Sequence, residues 1–290
     1  MNTALSWGLR DRSPEDIPVP AAGNALVTPD WAWGGATGGG VRVCVVDSGV
    51  EGGHPMVGPV ASSHVVVAGD TGPRVEPADD VDTCGHGTAC AGIIREVAPE
   101  CEVHSVRVLG EGFSGSGAFL LAGLRWAVEQ GFEVINMSLS TTHTRFVREL
   151  HELADAAYFG RSAIVASAHN TPVESFPWRF CSVLSVGSHQ EDDPDLYLYN
   201  PRPPVEFFAM GRDVRVAWRD GCVTRTTGNS FATPRIAGRC ALILSKHPGL
   251  TVFQLKNVLY LAAANVHRDG AGHGPRQTAG GPDSSPTRQK

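Results

Sequence analysis

The sequence predicts an α/β protein of three layers, with a mainly parallel central sheet and helices on both faces. Three observations lead there. Short β-branched runs recur along the chain, and the first, VRVCVV (41–46), is almost continuously apolar, as a strand covered on both faces must be. Segments with apolar residues at helical spacing lie between these runs, so strands and helices alternate in the order of parallel βαβ units. The chain has 290 residues, 42% of them hydrophobic, with no internal repeat and no linker-like stretch, enough for one large core without disulfides or metals.

The elements follow in order. The first forty residues are loop-rich and end in GGATGGG, a flexible approach to VRVCVV. A Gly- and Pro-rich loop then leads to a short helix, GHGTACAGIIREV (85–97). EVHSVRVL (102–109) is a strand, and SGAFLLAGLRWAVEQG (116–131) an amphipathic helix closed by Gly131. EVINMSLS (133–140) is a strand, TRFVRELHELADAAYFG (144–160) a helix and SAIVASA (162–168) a strand. CSVLSVGS (181–188) extends the sheet, and 205–228 reads as short strands and a hairpin that turns at RDG. Helices at 230–246 and 251–264 follow, and the nearly apolar-free residues 267–290 read as a disordered tail. The expected organisation is a loop-rich segment, 1–29, packing on a single domain, 30–264, with a tail at 265–290.

A net charge of −6 and 19% charged residues ask for neither a nucleic-acid nor a membrane partner, and no apolar stretch approaches a span. The start of the chain has no apolar run of signal-peptide length. Seven cysteines, odd in number and irregularly spaced, sit partly inside apolar runs such as AGRCALIL. Together these predict reduced thiols and a cytoplasmic setting.

Three polar residues stand where such a sheet presents reactive groups, beyond the carboxyl ends of its strands. Asp47 follows VRVCVV in VVDSGVEGGHP; alone it would read as a turn former. His86 opens a helix between two glycines, where the helix dipole is expected to depress its pKa and leave it neutral. Ser230, in TRTTGNSFATPRIAG, opens a late apolar helix and alone would read as its N-cap. Serine is a weak nucleophile until a base takes its proton, and a carboxylate behind that base fixes its tautomer. The chain order Asp, His, Ser is the order of subtilisin.

The three segments VVDSGVEGGHP, GHGTACAGII and GNSFATPRIAG resemble the signature motifs of the subtilisin-like (subtilase) serine protease family, over roughly residues 30–264. The resemblance implies the subtilisin-like fold and a serine endopeptidase acting on peptide or protein substrates through an acyl-enzyme, with Asp47, His86 and Ser230 as catalytic residues. It also implies that Asn170, after the strand in VASAHN, donates to the oxyanion. FSGSG (113–117) and SLS (138–140) are similar to the two segments that flank a bound peptide, which makes Ser114, Gly115, Ser138 and Leu139 substrate-lining. Phe176-Pro177 resembles the family's Tyr-Pro pair, a candidate cis bond.

Departures from the family pattern gather around the pocket for the residue preceding the cut bond. Asn229 stands where Thr is usual, as a further possible oxyanion donor; His169 replaces a Gly, and SLS replaces Ser-Leu-Gly. Ser175 and Glu174 are expected near that pocket, with Glu174 a candidate partner for a basic side chain. Residues 1–40 are too few for an inhibitory pro-domain, and the altered pocket leans toward a dedicated processing role on a cytoplasmic precursor. No cofactor is implied; ADDVD (78–82) is the one candidate calcium loop and reads more simply as a solvated run. CGHGTAC carries metal-ligand types but lacks a fourth ligand. The other classes considered are a latent subtilase-fold binding module and, on GEGFSG (110–115), a dinucleotide-binding domain without the acidic residue that should follow. Oligomeric state is not legible.

Overall fold

The computed structural model describes residues 26–113 and 115–266. The expected N-terminal segment up to residue 25 and the tail from 267 lie outside the described residues. In chain order the elements are α1 (Pro29–Trp33), β1 (Arg42–Asp47), β2 (Ser62–Val67), β3 (Arg74–Pro77), α2 (His86–Val97), β4 (Glu102–Arg107), α3 (Gly117–Glu129) and β5 (Val134–Met137). They continue with α4 (Val147–Phe159), β6 (Ala163–Ser167), β7 (Leu184–His189), β8 (Tyr197–Tyr199), β9 (Phe207–Met210), β10 (Val214–Ala217), β11 (Val223–Thr226), α5 (Asn229–Lys246) and α6 (Val252–Ala262).

Nine strands form one sheet in the order β3-β2-β4-β1-β5-β6-β7-β9-β8, in which only the edge strands β3 and β8 pair antiparallel. The alternation of side chains along a strand decides which layer each residue feeds. In β1, Val43 and Val45 point into a core shared with α2, α5 and α6, where Ile94, Ile236 and Leu255 are buried. Cys44 and Val46 point the other way, against Leu124 of α3 and Leu150 of α4. Both faces are covered, which is why the strand sequence lacks the polar alternation of a one-sided sheet.

β2, β3 and β8, and the short helix α1 capped by Thr28, were not anticipated from the sequence. Each is short or lies at the rim, where pairing with a neighbour outweighs local pattern. The RDG hairpin forms as expected between β10 and β11, with Asp220 and Gly221 both at left-handed φ (63° and 67°), the demand of a type I′ turn. Among the described residues no helix is long and apolar enough to cross a membrane.

One half-buried pair has a pH consequence. His64 on β2 and His104 on β4 share a face under α3, with His64 4.3 Å from Trp126 and His104 4.8 Å from Phe132. Ser62 bonds the His104 ring at 2.8 Å, and Glu102 stands 3.9 Å away. Burial lowers the pKa of both imidazoles. The unfolded chain therefore takes up protons first, near pH 6.5. Their stability contribution is complete above that pH and is lost as pH falls through the depressed folded values. Thermal unfolding at pH 7.5 and 5.0 should show an acid loss that His64→Gln/His104→Gln reduces. An unchanged acid slope in the double variant would refute the assignment.

Candidate active site

β1 delivers Asp47 to the carboxyl edge of the sheet, where it is fully buried. Its Oδ1 accepts from the Ser48 amide at 2.8 Å and faces His86 Nδ1 at 2.8 Å. A carboxylate at that distance keeps the proton on Nδ1 and leaves Nε2 as the basic nitrogen. Burial pulls the His86 pKa down, but the charge and hydrogen bond of Asp47, with the charge of Asp82, outweigh it, so the net direction is upward. The depressed value expected from the helix start alone is thus corrected: a paired carboxylate is a stronger influence than half a helix charge.

His86 is held by a residue that the sequence reading treated as a solvated acid. Gly85, at φ 91°, precedes α2 and brings no side chain to cap it. Asp82 does so instead: it accepts from the amides of Cys84 (2.9 Å), Gly85 (2.8 Å) and Thr88 (2.8 Å) and from the hydroxyls of Thr88 (2.7 Å) and Ser48 (2.7 Å). The Asp82 carboxylate is occupied by protein donors, so this residue is corrected both as a solvated acid and as a calcium ligand, while Asp79 and Asp80 of the same run are exposed. Asp82→Ala leaves these buried donors without an acceptor and should cost about 2–4 kcal/mol. Urea unfolding checks it; a loss under about 1 kcal/mol would mean that water replaces the carboxylate.

Ser230 lies at the start of α5, and its side chain does not cap the helix. Pro234, four residues on, has no amide proton, so the Ser230 carbonyl loses its helical partner. Ser138 Oγ takes that carbonyl at 2.8 Å, while Ser230 Oγ donates back to the Ser138 carbonyl at 3.0 Å. The proline in SFATP thereby ties the helix start to the end of β5.

Asn229 does not point to the oxyanion position. Its Nδ2 donates to the carbonyls of Ala168 and His169, both at 3.2 Å, and its Oδ1 accepts from Ser188 N at 2.9 Å. The sequence expectation that it could serve as a donor is corrected to a strut between α5, β6 and β7. Its own amide bonds Asn170 Oδ1 at 2.9 Å, which leaves the Asn170 Nδ2 protons for the cleft.

A cleft of about 460 Å³ brings together His86, Ser230, Asn170, Ser138 and Leu139. Gly115 lines a neighbouring groove with Leu109 and Phe119. Ser114 lies outside the described residues. Ser175 is fully buried and bonds Ser140 Oγ (3.0 Å) and Trp178 Nε1 (2.8 Å), so it supports the wall rather than meeting a ligand. Glu174 is exposed, 3.6 Å from Arg179, and borders the groove behind the Asn170 loop, so the basic-side-chain idea loses its geometry. The Phe176-Pro177 bond is cis. The sequence reading missed Asp82 and Trp218, the latter a cleft wall beside His86.

The donor atoms of Asp47, His86 and Cys90 lie within 4.8 Å of one another. Burial pushes the Cys90 thiol well up, and Asp47 Oδ1 already serves His86, so the set is committed to a proton-handling pair beside a protonated thiol. Cys84 turns away, donating to the Gly110 carbonyl at 3.1 Å.

Residues 38–281 match the profile of the subtilase family, Peptidase S8. Subtilisin DY of Bacillus licheniformis is 29% identical over 247 residues, covering 80% of this chain and 86% of that protein. Subtilisin E of Bacillus subtilis (strain 168) is 30% identical over 83% of this chain, which spans 65% of that longer protein. Among solved structures, a cold adapted subtilisin-like serine proteinase superposes with a TM-score of 0.63 at 29% identity, over 78% of this chain and 83% of that one.

Proposed function

The chain belongs to the subtilase family of subtilisin-like serine endopeptidases, and from that premise we propose that it cleaves peptide bonds with Asp47, His86 and Ser230 as its triad and Asn170 as oxyanion donor. The supporting observation is the buried 2.8 Å contact of His86 Nδ1 with Asp47, in one cleft with Ser230. Ser230 Oγ attacks the scissile carbonyl carbon as His86 Nε2 takes its proton. The carbonyl oxygen, now negative, meets Asn170 Nδ2 and the Ser230 amide. Collapse breaks the C–N bond, and the amine leaves with the proton from His86. Water repeats the sequence and frees the acid. Ser230 Oγ donates to the Ser138 carbonyl at 3.0 Å, and attack requires the hydroxyl to turn its proton to His86 Nε2.

A fluorophosphonate probe tests the reading: it labels the wild type and not Ser230→Ala. No labelling of folded wild type would favour the latent binding module instead. Asn170→Ala should lower kcat about 10²–10³-fold with KM nearly unchanged, since its amide is aimed at charge that exists only in the transition state. Steady-state peptide hydrolysis measures it; a loss confined to KM would place Asn170 in ground-state binding. We place this activity in the cytoplasm, on a restricted set of precursors. This reading is supported by seven cysteines that form no disulfide, and by His169 and Asn229, which depart from the family pattern beside Asn170.

A further inference from the structure

We propose that Trp218 is a specificity-determining residue that receives a large apolar or aromatic side chain immediately after the cut bond; the inference rests on the endopeptidase reading above. Apart from His86, Ser230 and Leu109, the described cleft lining comes from two sets of elements. On one side stand residues 138–140 and 167–170, at and just beyond the carboxyl ends of β5 and β6, where SLS resembles a segment that flanks a bound peptide. On the other stand Trp218, Thr226 and Phe231. The acyl half of the substrate takes the sheet side, so the departing half passes the second wall, next to the imidazole that protonates its amine.

Trp218 is built into that wall. Its indole lies against Gly85, where a Cβ would come within 2.6 Å of the ring, so the residue preceding His86 admits the ring only as glycine. Beneath, it leans on the buried cluster of Ile93, Val216 and Phe231. The hairpin that carries it is clamped twice to the loop after Asp47. Glu51 accepts from the turn amides of Asp220 (2.6 Å) and Gly221 (2.9 Å). His54 bonds the Cys222 carbonyl at 2.9 Å through Nε2, its Nδ1 being taken by the Met56 amide. A half-exposed ring so held loses little entropy on binding, which favours it as a platform.

The guest's chemistry follows from its surroundings. Among the described residues no Asp, Glu, Lys or Arg lines the cleft. Arg219, next in the chain, donates to the Thr83 carbonyl at 3.3 Å and stands 3.8 Å from Asp220, so the nearest charges are balanced and offer a cationic guest no net attraction. A neutral ring or branched aliphatic chain stacked on the indole is what remains.

Acyl transfer reads this side of the cleft directly. A peptidyl thiobenzyl ester acylates Ser230, its C–S bond breaking to release phenylmethanethiol with the serine proton, and an amino-acid amide then competes with water: its nitrogen forms the new C–N bond, the ester C–O bond to Ser230 breaks, and the amine proton passes through His86 to the serine oxygen. In the wild type, phenylalanine amide should capture the acyl group about tenfold better than glycine amide, with arginine amide no better than glycine. Trp218→Ala should bring the phenylalanine-to-glycine ratio to within about twofold, and Trp218→Phe should keep most of it. An undiminished ratio in Trp218→Ala, a ratio near one in the wild type, or arginine as the best acceptor each overturns the proposal. Failure of folded wild type to turn over the ester overturns the endopeptidase reading itself, and this one with it.

Discussion

Ser230→Ala should lower kcat for peptide hydrolysis by about 10⁶, the scale of the same substitution in subtilisin, where loss of the nucleophile costs about as much as loss of the whole triad. That corresponds to about 8 kcal/mol of barrier. The hydroxyl contributes nothing comparable to stability. Among the described residues its hydrogen bond goes to the Ser138 carbonyl, and such a bond is worth about 1 kcal/mol. The helix start is held by other groups: the Ser230 carbonyl on Ser138 Oγ, and the Asn229 side chain on the strand ends. Activity and folding should therefore separate cleanly in this variant. Ser230→Ala/His86→Ala should be no slower than either single variant, since neither residue works without the other. Steady-state rates with matched unfolding curves decide it; a single-variant loss below about a hundredfold would mean that another group carries the reaction.

The sequence exposed much of this site because its parts are local. β1 must be apolar on both faces, so Val43 and Val45 and then Cys44 and Val46 announce a central strand, and the residue at its end is Asp47. His86 and Ser230 each open a helix after a glycine, a pattern visible within a few residues. What stayed hidden depends on partners far along the chain. Asp82 looks like one acid in an exposed run until α2 is seen to lack a side-chain cap. Trp218 meets Gly85 only because the hairpin folds back over the Asp47 loop, a contact no local pattern encodes. Asn229 has a donor of the right type, but its direction is set by two carbonyls just beyond β6. The sense of the His86 shift was likewise invisible from its helix alone, because the opposing carboxylate is supplied by β1.

That carboxylate is the basis of the second large effect. Asp47→Asn should lower kcat by about 10⁴ while leaving the cleft in place. The wild-type Oδ1 accepts from both Ser48 N and His86 Nδ1, and Oδ2 is buried without a hydrogen-bond partner among the described residues. An amide fits neither way. With its oxygen at the Oδ1 position, the NH₂ group is buried without an acceptor and the imidazolium formed during attack has no counter-charge. With the NH₂ there instead, it opposes the Ser48 amide and donates to Nδ1, which puts the ring proton on Nε2, where the proton of Ser230 has to go. The pH profile distinguishes this from simple damage. In the wild type Asp47 and Asp82 hold the His86 pKa above its usual value against the effect of burial, so kcat/KM should rise with pH through a value above about 6.5. Without the Asp47 charge burial counts for more, and the residual activity should show its acid limb at lower pH, so the deficit narrows toward acid. Stability moves in the same sense: a raised histidine stabilises the fold below about pH 6.5 and loses that contribution as pH rises through the folded value, and Asp47→Asn should remove this slope. Rates from pH 5 to 9, with unfolding at both ends, measure both effects. An acid limb that stays where the wild type has it would mean that Asp47 does not set the state of His86.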